Sequence, residues 1–110
     1  MGDQIMKIYF IYATFQSLKE AKSIGKKLVQ NKLAACTNII PEIYSTYMWK
    51  NKTVVDKECS MIVKTNKSNV KEAIEFIVKR HSYECPAVTA FPIEYAHKDF
   101  EKWVAQETKR

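Results

Sequence analysis

Glycine is almost missing from this chain: 110 residues hold two, Gly2 and Gly25, where average usage would supply about 7%. Glycine-rich phosphate loops are therefore excluded, and with them a P-loop or a dinucleotide fingerprint. Histidine is as scarce, with only His81 and His97. No Ser-His-acid or Cys-His set can be read from neighbouring positions, so the sequence predicts a protein that is not an enzyme. Three cysteines, Cys36, Cys59 and Cys85, stand far apart with no CxxC pair. That argues against a disulfide framework and a zinc finger, and predicts reduced thiols in the cytoplasm. The longest apolar run, Tyr9 to Ala13, is far below the roughly 20 residues of a membrane span. No signal-peptide cleavage site follows it. Met6 stands where an acylation signal at Gly2 would need Ser or Thr, so no membrane attachment is expected.

What is present is enough for a core. Hydrophobic residues make up 46% and aromatics 12%, which fits one domain over residues 1–110. The net charge of +6 is spread among nearby acids, the pattern of solvated helix faces. Residues 7–15, KIYFIYATF, are apolar on both alternating sets, which predicts a central strand covered on two faces. Ser17 and Glu20 have capping-box spacing ahead of a helical repeat over 18–31. A β pattern then runs from Leu33 to Trp49 with Pro41 at a bend, turns at Lys50-Asn51-Lys52, and returns from Val54 to Thr65. Ser68 offers an N-cap for a second helix that stops near His81, Ala87 to Glu94 reads as a fourth strand, and a short helix with an aromatic face ends the chain.

The order β-α-β-β-α-β is that of an α+β, ferredoxin-like fold. Its two helices cover one sheet face only, yet the strands carry apolar groups on both. Tyr44, Tyr47, Met48, Trp49, Phe91, Phe100 and Trp103 are too many to leave in water, so an obligate oligomer is expected. The RNA-recognition signature is absent from both central strands, so nucleic acid is not an expected partner. The densest chemistry is His81-Ser82-Tyr83-Glu84-Cys85-Pro86, between a helix end and a strand start. Imidazole, thiol and carboxylate there suit a borderline metal such as copper or zinc. The alternative is a capped helix end with Tyr83 packed. Cys36 and Cys59 read first as core, and His97 as a surface residue.

Several segments together resemble the CutA divalent-cation-tolerance family. They are the pattern from Ala21 to Val29, Lys32 to Pro41, Ser45 to Lys52, Ile62 to Thr65, and His81 to Pro86. The resemblance implies the ferredoxin-like fold in a tight homotrimer, and a role in copper or divalent-metal tolerance with no established reaction. The family's bacterial copper site maps onto Ala13, Arg80 and His81, so one ligand of three is kept, and Ser82 replaces the usual proline. The expected metal ligands are His81, Glu84 and Cys36, for copper or another divalent ion, with no organic cofactor. A second reading comes from the likeness of such trimers to PII signalling proteins. There Trp49, Lys64 and Tyr83 would line an intersubunit cleft, with Lys64 pairing a small anionic effector.

Overall fold

The computed structural model describes residues 7–110, so the Gly2 acylation signal lies outside the described residues. Strand β1 is Ile8–Phe15, helix α1 Leu18–Gln30, strand β2 Cys36–Trp49, strand β3 Lys52–Asn66, helix α2 Val70–Arg80, strand β4 Val88–Pro92 and helix α3 Lys98–Glu107. The sheet order is β2-β3-β1-β4 with every neighbouring pair antiparallel, the split βαβ arrangement that the sequence order predicted. As expected, β1 is an interior strand. Its Ile11, Ala13 and Phe15 are fully buried with Cys59, Met61 and Val63 of β3 beneath α1 and α2.

Local chemistry explains each element. Ser17 caps α1 by accepting the Glu20 N–H at 3.2 Å. Helix α1 then buries Ala21, Ile24, Gly25 and Leu28. Gly25 sets how close the helix comes to the sheet: a Cβ there would lie 2.9 Å from Met61 Sδ and 3.0 Å from Thr37 Oγ1. Register in β2 steps from Ile40 opposite Ser60 to Ile43 opposite Glu58, one extra residue that forms a bulge at Pro41, which has no N–H to donate. Lys50 and Asn51, at φ 51° and 65°, make the tight hairpin turn.

Two expectations about caps are corrected. Ser68 does not cap α2: a 3-10 turn over Lys67–Asn69 precedes that helix, and the Asn66 side chain accepts the Asn69 N–H instead. Strand β3 runs on to Asn66, which shifts the cap upstream. Asn66 is buried and also donates to Thr108 Oγ1 at 2.7 Å, tying the end of the chain to the sheet. The second half of the Ser17 capping box is not made either, because the Glu20 carboxylate is engaged elsewhere.

The second sheet face is covered in part by the chain itself. Helix α3 lays Phe100 and Val104 over Ile8, Phe10 and Ala35, at the end of the sheet where β1 begins. Beyond the other end of β1, residues 43–58 of β2 and β3 pair, among the described residues, only with one another. They project as a two-stranded arm from a molecule whose extents are 55 × 25 × 21 Å. Alternation places Tyr47 and Trp49 on one face of this arm with Asp56 and Glu58. Tyr44, Met48 and Val55 lie on the other, each more than 60% exposed.

Candidate functional site

The loop 81–87 leaves α2 and enters β4, and His81 fastens its start. The His81 side chain is fully buried. Its ring stacks on Phe15 at 4.8 Å and 15°. His81 Nε2 lies 2.7 Å from the Thr14 carbonyl oxygen, which can only accept, so Nε2 carries the proton. Nδ1 accepts the Tyr83 N–H at 3.1 Å. Both ring nitrogens are thereby used inside the chain. Next to it, Glu20 accepts from Ser82 N at 2.6 Å and from Ser82 Oγ at 2.9 Å, clasping the loop to α1.

This clasp aims Tyr83 across the sheet. Its hydroxyl donates to Glu58 Oε1 at 2.7 Å, and the Tyr47 hydroxyl similarly donates to Asp56. Between loop and arm lies a cleft of about 730 Å³, walled by Tyr47, Trp49 and Tyr83 and bearing the carboxylates Asp56, Glu58 and Glu84, with Cys85 at its side. No lysine or arginine occurs among the described residues of this lining. The cleft is thus acidic on a chain whose net charge is +6.

The expected site residues divide accordingly. Trp49, Tyr83 and Glu84 meet in the cleft. Within one chain Lys64 does not join them: it lies six residues along β3 from Glu58, about 20 Å at 3.3 Å per residue. Its ammonium sits over Phe10 at 5.3 Å and Phe100 at 5.7 Å. Cys36 pairs across from Lys64, at the level of Phe10, whereas His81 bonds to Thr14. Four residues along the strands, about 13 Å, separate the two levels. Burial pushes the Cys36 thiol up, with Lys64 pulling the other way. Within one chain, then, His81, Glu84 and Cys36 are not gathered, and no group of three or more His, Cys, Asp or Glu side chains forms a metal cage among the described residues. His97 is a surface residue at the start of α3, as expected, and Cys59 is core.

Sequence reading missed Tyr47, Asp56 and Glu58. The only signal for them is period-two spacing on facing strands, which does not reveal that Tyr83 arrives from a loop 25 residues away.

Burial, the bond to Glu58 and the neighbouring carboxylates push the Tyr83 hydroxyl far above its ordinary value near 10. The folded state therefore holds this proton more tightly than the unfolded state. The stabilisation is complete below about pH 10 and is lost as pH rises beyond it. Tyr83→Phe is expected to flatten the alkaline fall of the unfolding midpoint between about pH 10 and 12. Equal slopes for the two proteins would show that the bond contributes nothing.

A protein built this way has known relatives. The family model described as CutA1 divalent ion tolerance protein matches residues 9–107. The divalent-cation tolerance protein CutA of Archaeoglobus fulgidus is 43% identical over 95 residues, covering 86% of this chain and 92% of that one. The mouse protein CutA is 40% identical over 98 residues, which are 89% of this chain and 55% of the mouse protein. Among solved structures, CutA1 of Ehrlichia chaffeensis superposes with a TM-score of 0.94 at 32% identity, over 97% of this chain and all of the other. The compartments named for relatives differ: one is the chloroplast of Arabidopsis thaliana, and the Archaeoglobus structure is called periplasmic. No helix among the described residues is long and apolar enough to cross a membrane. With the family model spanning nearly the whole chain and close relatives agreeing, this chain belongs to the CutA1 divalent ion tolerance protein family.

Proposed function

We propose that the protein serves divalent-cation tolerance as a cation-binding homotrimer of the cytoplasm rather than as an enzyme, and that the ion is held in the Tyr83 cleft by Asp56, Glu58 and water. The observation that carries this reading is the pair Asp56 and Glu58, two residues apart on one face of β3, in a lining that also bears Glu84 and has no described basic side chain. Oxygen donors suit hard divalent ions, and copper(II) binds most such sites more tightly than its neighbours in the first transition row, which makes it the probe of choice. His81, the imidazole expected for copper, has no free lone pair in this arrangement. The PII-like reading puts a small anion in a cleft between subunits, whereas the charge of the lining within one chain favours a cation.

Support for the homotrimer is the arm, whose Tyr44, Met48 and Val55 face is exposed and, among the described residues, lies beyond the helices. The cytoplasm suits the three unpaired thiols.

Copper(II) titration against a competing chelator tests the reading. Asp56→Asn combined with Glu58→Gln is expected to weaken binding tenfold or more, about 1.4 kcal/mol. His81→Ala, which frees the loop that carries Tyr83 but removes no proposed ligand, is expected to weaken binding less than the carboxylate pair does. Loss of copper in His81→Ala with full binding in the carboxylate variant would overturn it.

A further inference from the structure

The cleft is larger than a metal ion needs. A divalent ion with six waters takes about 180 Å³, at about 30 Å³ per water. The cleft holds about 730 Å³, within the range of sites for small organic ligands. Beyond the carboxylates its wall is made of Tyr47, Trp49, Tyr83 and Ala87, with Thr14, Ser82 and Cys85 beside them. Each of the two tyrosine hydroxyls is tied to a carboxylate, Tyr47 to Asp56 and Tyr83 to Glu58. Those bonds fix the rings and the acids relative to one another before any ligand arrives. Aromatic faces beside carboxylates form the surroundings that attract ammonium groups, through the ring quadrupole and through charge. Lys50 Nζ stands 5.8 Å from the Trp49 ring centroid, so a ligand cation competes with it for that ring.

We infer that this cleft binds a small organic cation, an amine or quaternary ammonium carried on an apolar or aromatic body. The head lies against Glu58 and Asp56 and the body against Trp49 and Tyr83. The inference rests on the cleft being the binding site, as proposed above, but it does not require a metal. A ligand of this class uses both properties of the lining, its charge and its apolar rings. A hydrated ion uses one.

The test follows Trp49 fluorescence in a Trp103→Phe background, where Trp49 is the only tryptophan. Three probes are titrated in the presence of EDTA: benzyltrimethylammonium, neutral benzyl alcohol and the anion phenylacetate. Saturable quenching by benzyltrimethylammonium is expected, at least tenfold tighter than either of the others. Glu58→Gln is expected to weaken it at least fivefold, and Asp56→Asn provides a second variant if the first is not folded. Equal or tighter binding of phenylacetate or benzyl alcohol would overturn the inference. So would an ammonium probe that fails to saturate by about 10 mM, equivalent to less than 3 kcal/mol. If copper binding depends on Glu58 and the ammonium probe gives no signal, this inference alone falls. The reverse pattern removes the divalent-ion reading and leaves this one standing.

Discussion

Phe15→Ala is expected to destabilise the protein by about 3 to 5 kcal/mol, the usual loss for truncating a fully buried phenylalanine. Phe15 is completely buried at the end of β1, paired across from Cys59. It does more than fill space, because the His81 ring stacks on it. Without that surface the imidazole loses one wall of its pocket, and its bonds to Thr14 and Tyr83 lose their anchor. The damage should therefore reach the cleft. A domain of this size has a total stability of about 5 to 15 kcal/mol, so the variant should be near its limit. Urea unfolding at matched protein concentration checks this, with any dependence of the midpoint on concentration held equal for the two proteins. A loss below about 1 kcal/mol would mean that the end of β1 can collapse around the gap.

Reversing the character of the arm is expected to have the second large effect. Tyr44, Met48 and Val55 are 67%, 63% and 61% exposed on a hairpin that no third strand supports among the described residues. An isolated two-stranded ribbon is at best marginal in water, and Tyr83 holds this one only at Glu58, so the exposed face beyond is expected to gain its support from other copies of the chain. Met48→Lys combined with Val55→Lys places two charges on that face. Light scattering at micromolar concentration is expected to report trimers for wild type and monomers for the double variant. A monomeric wild type, or a double variant of unchanged mass, would contradict the assignment of the arm to assembly.

Much of this organisation was legible in the chain. Double-sided apolar alternation in KIYFIYATF predicted an interior strand, and β1 is one. Pro41 predicted a bend, and the register shift between Ile40 and Ile43 is that bend. Ser17 predicted the start of α1. Glu20 was misread because its spacing satisfies the capping box equally well, while Ser82, 62 residues on, competes for its carboxylate. The site was half legible for a similar reason. Trp49 and Tyr83 stood out by chemical type, and the cleft contains them. Lys64 and Glu58 share a strand face, and period two says nothing about which end of that face the loop overhangs. The open question of the second sheet face also divided: α3 covers one end, a contact its aromatic residues suggested only as a short helix, and the arm remains bare at the other.

The central claim is that cations bind between the arm and the 81–87 loop, at carboxylates rather than at the histidine. Anomalous diffraction at the copper edge from crystals soaked in copper(II) tests it most directly. The account predicts one peak per subunit within ligand distance of Glu58 or Asp56, with the His81 ring still bonded to Thr14. A peak on His81 or Cys36 with an empty cleft would contradict it.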